Sequence, residues 1–367
     1  MLRAPQCRRR SGPKAWPEQH PAHSDVLERT IMKASREVRL KKYAKGSVSA
    51  DNFEIAQVDL PDLADGEVLV RNIWMSVDPA TRIRMADMSG FDSPIPAFTV
   101  GAPLDGGAIG EVVKSRSPDF DTGDTVQSWL GWREAFVAPG AALQKINAPG
   151  IPVQSLLGPA GVTGLTAYAG LKTALPKAGE TIFVSSAAGA VGSIVCQLAK
   201  AGGLIVIGSA GGAEKCAYLR EIGVDHAIDY KAEPDMLAAL RRVAPEGIDI
   251  YFDNVAGAQL EAAIAAGRDN ARIILCGSVS TVNDEAPSPG PRNLILMIGK
   301  QMRMEGVTVF HHFHEMPEFL QELQRLVAAG KMTWRETVFE GIESAPEALA
   351  ALFDGSALGK ALVKLGA

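Results

Sequence analysis

The sequence changes rhythm near Ile151, and this change restricts the possible folds more than any other feature. Before it, from Val38 to about Asn147, stretches such as FEIAQVDLP, GEVLVRNIWMSVDP, GGAIGEVVKS and FDTGDTVQSWLGWREAFVA alternate apolar and polar residues or break at Gly-Asp and Gly-Trp corners. Period-two alternation is what a strand with one buried face requires. This half therefore predicts a compact, barrel-like β unit with little helix. After Ile151, continuous apolar runs (ETIFVSS, LIVIGS, HAIDY, GIDIYFDNV, ARIILCGSV) are separated by helical stretches near 191–202, 214–222, 234–243 and 258–266. A helix over 293–302 and a strand EGVTVF extend the series. Uniformly apolar strands joined by helices predict an α/β fold, a doubly wound parallel sheet covered on both faces. From Thr333 a strand–helix–strand remnant returns (TVFEGIE, APEALAALFDG, GKALVKLG), too small to stand alone. The expected organisation is a β-rich domain over 36–155 completed by 334–367, with a nucleotide-binding domain over 156–333 inserted and a ligand cleft between them.

Residues 1–35 differ from the rest. MLRAPQCRRRSGPKAWPEQHPAHSD is rich in Arg and Pro and lacks hydrophobic periodicity, so it reads as a disordered tail, with Met32 opening the patterned sequence. A net charge of −5 is mild and suggests neither nucleic-acid nor membrane-surface binding. No apolar run approaches the roughly 18–20 residues that span a bilayer. Cys7, Cys196, Cys216 and Cys276 lie far apart with no paired spacing, which fits a reducing, cytoplasmic setting better than a disulfide framework. His311, His312 and His314 cluster after an apolar run, and read as a solvated strand end because a metal there would need carboxylate or thiolate help.

The chemistry begins at VSSAAGAVGS, where a strand turns into a helix. A dinucleotide fingerprint would read G-x-G-x-x-G, and here Ala187 stands in the first place, followed by Gly189, Ala190, Val191 and Gly192. Gly189 lies where backbone approaches a pyrophosphate and Gly192 where the helix packs on the strand, while the helix N-terminus offers free N–H groups to phosphate. The missing glycine serves only the tight turn, so the loop reads as nucleotide-binding. A site for NAD would carry an acid at the end of the second strand to hold the ribose hydroxyls. That place reads GSAGG, with Lys215 close behind. A cation beside small residues suits a 2′-phosphate and favours NADP.

A β-rich unit joined to a dinucleotide domain suggests a medium-chain alcohol dehydrogenase, often a zinc enzyme. Yet no Cys or His occurs between His23 and Cys196, and no four-cysteine cluster exists. Such a site suits hydride addition to an already activated acceptor, such as a double bond conjugated to a carbonyl.

From about Val38 onward the chain resembles the zinc-free medium-chain reductases of the prostaglandin reductase, alkenal double-bond reductase and curcumin reductase group. GEVLVRNIWMSVDP, GGAIGEVV, GLTAYAGL, VSSAAGAVGS, GGAEKC, AIDYK, GIDIYFDNVAG, ARIILCGSVS and MEGVTV carry the resemblance. It implies a GroES-like domain joined to a Rossmann domain, NADPH as cofactor, a small-molecule enone, enal or quinone as substrate, and a homodimer. It places Lys215 and Tyr230 at the 2′-phosphate and Asn254 at a cofactor ribose. Cys276, Gly277, Ser278, Val279 and Ser280, continuing to Val282, would line the nicotinamide half together with a strand Val307, Thr308, Val309, and Thr166 would lie near the carboxamide. Three positions depart from the family: Ala80 where tyrosine often follows Asp-Pro, Val282 where tyrosine often precedes Asn283, and Ala357 in GSALGK where an asparagine often contacts cofactor. The two lost tyrosines border the substrate pocket, so no catalytic acid is nominated. Trp74, Trp129 and Trp132 are candidates for a pocket wall. Quinone reduction and non-catalytic NADPH binding are the alternatives to enone reduction.

Overall fold

The structure is a computed structural model and describes residues 32–87, 96–147, 150–284 and 289–366. β1 (Ala34–Leu40) and β2 (Phe53–Asp59) pair antiparallel. β1 starts two residues inside the segment expected to be tail. Residues 1–31 of that tail, with Cys7, lie outside the described residues. β3 (Glu67–Ser76) then pairs with β4 (Ala108–Ser115) and with β6 (Ala135–Pro139), while β5 (Thr125–Ser128) joins β4 to β7 (Gln144–Lys145). α1 (Pro79–Arg84) leaves the end of β3. Its proline opens the helix, where a missing N–H costs no hydrogen bond.

The second half alternates as expected. α2 (Val162–Thr173) leads into β8 (Thr181–Val184), α3 (Ala190–Ala201), β9 (Ile205–Ala210), α4 (Ala213–Glu221), β10 (His226–Asp229) and α5 (Met236–Val243). β11 (Ile248–Asp253), α6 (Gly257–Ala266), β12 (Gly267–Leu275), α7 (Ile295–Gly299), β13 (Arg303–Gly306) and α8 (Met316–Ala328) follow. The strands form one parallel sheet in the order β10-β9-β8-β11-β12-β13. The direction of winding reverses between β8 and β11, and ligands of such sheets bind outside the strand ends at that point. All four residues of β8 are buried, as a strand covered on both faces requires.

Two expectations need correction. The helix expected over 293–302 is only Ile295–Gly299. The strand EGVTVF ends at Gly306, opposite Leu275, the last residue of β12. Beyond it only Val307 N still reaches Leu275 O, so the chain, having no further partner strand, turns at Val309–His311.

β14 (Glu336–Glu340), α9 (Ala345–Asp354) and β15 (Lys360–Lys364) close the chain. β15 runs parallel to β14 and antiparallel to β3, completing the seven-stranded sheet begun by the first half. α9 shares a core with that half: Ala345, Ala348 and Leu349 pack with Val38, Leu40 and Met75. Burying each large side chain of that set stabilises the fold by about 1.5–3 kcal/mol. Trp132 is fully buried in this core, stacked on Phe53 at 6.2 Å. It is therefore core packing rather than pocket wall. Trp129 is exposed and Trp74 half-buried.

Candidate active site

The turn between β8 and α3 forms without the missing glycine. Its positive backbone angle falls on Ser186 (φ 48°), so Ala187 sits in an ordinary conformation. The Ala187 methyl is fully buried against the next strand, at a position where a Cβ on Gly208 would stand 2.8 Å away. The glycine has in effect moved across to the neighbouring strand. Gly192 shows the close helix–strand contact: a Cβ there would lie 2.4 Å from Ser186 O. The first helical hydrogen bond is Ser193 N to Gly189 O, which leaves the amides of Ala190, Val191 and Gly192 without a helical acceptor. Ala190 and Val191 are half-buried, so this positive helix end is open to a phosphate.

The residues that end β9 carry no acid of their own; two lysines stand beside them, while the Asp229 carboxylate from the neighbouring strand is engaged by Gly212 N at 2.9 Å and Lys231 N at 3.0 Å. A Cβ on Gly211 would stand 2.7 Å from the Tyr230 hydroxyl and 2.9 Å from Lys231 Cε. Lys215 and Lys231 both reach Gly355, their Nζ atoms 4.0 and 3.8 Å from where its Cβ would be. Burial, with the neighbouring Lys231 second, holds the Lys215 pKa below the ordinary lysine value. Tyr230 and Lys231 thus flank Gly211, and Lys231 and Lys215 share Gly355. Lys231 was missed, although it follows Tyr230 directly. Two cations, a phenol hydroxyl and glycine backbone suit a phosphate monoester, and this residue set fits the 2′-phosphate of NADP.

Asn254 lies at the switch point, 9% exposed. Its Nδ2 donates to Ser185 O at 2.8 Å and its backbone N to Ser185 Oγ at 2.9 Å, which joins the ends of β8 and β11. Beneath it, the Asp253 carboxylate accepts from Tyr251 Oη and from the amides of Val255 and Ala256. Burial pushes that carboxyl's pKa up, against the pull of these donors. Asp253 was not singled out from the sequence. The following loop packs here too: Val279 N and Ser280 N donate to Asn254 O and Val255 O, and a Cβ on Gly277 would come within 3.1 Å of Asn254 O. Ser278 lies in the same loop. Burial pushes the Cys276 thiol up to about 12, so it is apolar lining rather than a nucleophile. Val307 and Val309 pack on the same core, with exposed Thr308 between them. The Thr166 hydroxyl is spent within its own helix on Val162 O at 2.7 Å.

The opposite wall is α1, with exposed Ala80 at its start. Lys360, 3% exposed, donates to Val77 O at 2.9 Å and Asp78 Oδ1 at 2.7 Å, while the preceding residue's amide, Gly359 N, donates to Ala188 O at 3.0 Å. One short segment therefore holds both α1 and the nucleotide turn, and Ala357 lies just before it. From α1, Arg82 Nε donates to Asn283 Oδ1 at 3.0 Å, beside Val282 in the loop after β12.

Away from this crevice, His312 Nδ1 and Glu315 Oε1 are 2.9 Å apart, and His314 stacks near His312. Among the described residues no group of three or more His, Cys, Asp and Glu side chains is arranged to hold a metal ion.

Comparison with known proteins agrees with this architecture. Residues 36–146 match the family described as the N-terminal domain of oxidoreductase, and residues 190–325 match the one described as zinc-binding dehydrogenase. The NADP(+)-dependent 2-alkenal reductase of Nicotiana tabacum is 40% identical over 337 residues, 90% of this chain and 97% of its own. Prostaglandin reductase 1 of Bos taurus is 39% identical over 331 residues, 89% of this chain and 97% of its own. The crystal structure of CurA in complex with NADPH from Vibrio vulnificus superposes with a TM-score of 0.85 at 34% identity, covering 90% of this chain and 99% of that one.

Proposed function

This chain belongs to the zinc-free medium-chain dehydrogenase/reductase family, and we propose that it reduces the carbon–carbon double bond of α,β-unsaturated ketones or aldehydes with NADPH. The observation that carries the reading is the pair of lysines at the end of β9, where Tyr230 and Lys231 flank Gly211 and Lys231 and Lys215 meet at Gly355, while the nearby Asp229 carboxylate is already engaged by Gly212 N and Lys231 N. This cluster lies at the same, carboxyl, end of the parallel strands as the glycine turn at 189–192. Relatives of near-full-length coverage include an alkenal reductase and a prostaglandin reductase.

Bound there, NADPH supplies a hydride for the β-carbon of the substrate. The turn at Gly189–Gly192 would hold the pyrophosphate, and Lys215, Lys231 and Tyr230 the 2′-phosphate. Asn254 and the loop Cys276–Ser280, with Val307–Val309, would frame the nicotinamide end. The substrate's α-carbon then takes its proton from water. The protein's share of the rate is alignment and carbonyl polarisation.

Residues 36–155 with 334–367 would form the substrate-side domain and 156–333 the nucleotide domain. A homodimer is supported by α7, where Ile295 and Ile298 are 71% and 74% exposed next to the edge strand β13. A cytoplasmic setting is supported by three free cysteines, Cys196, Cys216 and Cys276. Among the described residues no helix is long and apolar enough to cross a membrane.

Incubation with NADPH and a panel of enones should consume NADPH and yield the saturated carbonyl, unaffected by chelators. No turnover across varied enones refutes the reading.

A further inference from the structure

Arg82 of α1 and Asn283 of the loop after β12 form a pair that the nucleotide cradle does not use. Arg82 is 3% exposed. The two acceptors the structure gives it are neutral oxygens, Gly46 O at 2.8 Å and Asn283 Oδ1 at 3.0 Å. Neither cancels the guanidinium charge, and a charge removed from water projects a stronger field than an exposed one. Burial holds the Arg82 pKa below its ordinary value, though an arginine stays charged at neutral pH. The partners are 201 residues apart, so only the folded chain brings α1 and this loop together.

The pair also fixes the direction of an amide. A guanidinium has donors and no acceptor, so the Asn283 atom facing Arg82 has to be the carbonyl oxygen, which settles an orientation that is otherwise ambiguous. The Nδ2 group then points away from Arg82, and no hydrogen bond among the described residues engages it. Asn283 is half-buried and follows Val282. Its loop is tied to the end of β11 through Val279 and Ser280, and α1 is tied to the nucleotide turn through Lys360 and Gly359. An oriented, polarised donor therefore stands between the two anchored walls, where two tyrosine hydroxyls are missing.

We propose that Asn283 Nδ2 donates to the carbonyl oxygen of the substrate, and that Arg82 is the positioning residue that holds and polarises this amide. The proposal rests on the enone-reductase reading above. As the β-carbon accepts hydride, the double-bond electrons move toward the carbonyl and its oxygen takes up negative charge as an enolate. A proton from water then adds at the α-carbon, leaving the saturated carbonyl and oxidised cofactor. The Asn283 donor faces charge that develops during the reaction, where such a contact accelerates the chemical step.

Asn283→Asp is the discriminating variant. Its carboxylate can still accept from Arg82, so the tie between α1 and the loop survives, but both donor hydrogens are gone. Turnover of an enone at saturating NADPH should fall about 100-fold, in the range seen when a single oxyanion donor is removed. The KM for NADPH should stay within twofold. Arg82→Lys should retain more turnover than Arg82→Ala. In the unreactive complex with NADP+, the infrared carbonyl stretch of bound enone should be lowered in the wild type, and that lowering should be lost in Asn283→Asp and Asn283→Ala. Wild-type-like turnover and an unmoved carbonyl stretch in Asn283→Asp overturn the proposal, as does a parallel loss of NADPH affinity, which would make the pair a strut for the cofactor loop. An inactive wild type overturns the enone-reductase reading itself, and this proposal with it.

Discussion

Lys231→Met removes one of the two ammonium groups at the glycine end of β9, and its effects on the free and the bound protein should differ: near zero for the first, a loss for the second. Both Nζ atoms lie within 4.0 Å of one point, the place of a Cβ on Gly355, so they are no more than about 8 Å apart. Two unit charges at that separation repel by about 0.5 kcal/mol in water-like surroundings and about 2 kcal/mol at an effective dielectric of 20. Lys231 is exposed, so the lower figure applies. Lys231 also attracts the Asp229 and Asp354 carboxylates, which offsets that repulsion, so its removal should change the stability of the free protein by no more than about 0.5 kcal/mol. Bound NADPH loses one exposed cation beside its 2′-phosphate, at a cost of about 1 kcal/mol or roughly fivefold in Kd. NADH, lacking that phosphate, should bind unchanged. Fluorescence titration with both nucleotides and a thermal melt of the free protein test this. Equal weakening of NADPH and NADH, or a clear drop in the melting temperature, would refute the assignment. Half-buried Lys215 should matter more, about 10–100-fold when replaced by Met. Its lowered pKa adds a pH signature: NADPH affinity falls as pH rises through that value, while NADH affinity stays flat. The free fold responds with the opposite sign. The unfolded chain keeps the Lys215 proton longer, so stability from this group rises with pH between the folded and the ordinary lysine pKa.

Other substitutions probe packing and assembly. Gly208→Ala sets a methyl 2.8 Å from the Ala187 Cβ and 3.1 Å from Leu219 Cδ1, and should destabilise by about 1–3 kcal/mol. Adding Ala187→Gly should recover part of that loss in a double-mutant cycle of urea unfolding, and additive losses would show that the two sites are not coupled. Ile298→Asp, alone or with Ile295→Asp, should convert a homodimer to monomer in light scattering with the circular dichroism spectrum unchanged. A mass unaffected by both changes would move the interface elsewhere.

The alternation of strand and helix was legible because parallel strands covered on both faces must be apolar throughout, as the fully buried β8 illustrates. α2 was not legible. Its VTGLTAYAGLKT is apolar nearly all round, and its small residues serve close approach: a Cβ on Gly170 would lie 2.6 Å from the Phe252 ring. α8 could have been found, since Phe319, Leu323 and Leu326 recur at helical spacing behind a proline at the first turn. In the site, the glycine turn and Lys215 follow from backbone geometry and charge near one another in sequence. Lys231 and the Arg82–Asn283 pair do not, because their significance arises only when the fold brings distant segments together. Trp132 shows the reverse error, a large aromatic residue that suggests a binding wall and fills a core.

The fastening of two walls by Gly359 and Lys360 limits how this protein can change. Gly359 sits at φ 71° with a Cβ position only 2.0 Å from Arg335 O, so no side chain fits there. The ammonium beside it cannot be shortened without leaving the Asp78 carboxylate short of its charge partner. The turn after β8 and the start of α1 are therefore coupled mechanically, and a change that shifts this segment shifts both. Variation in acceptor preference has to arise off this fastening, at the tip of α1 and in the loop around Val282, where side chains can be exchanged while the frame holds still.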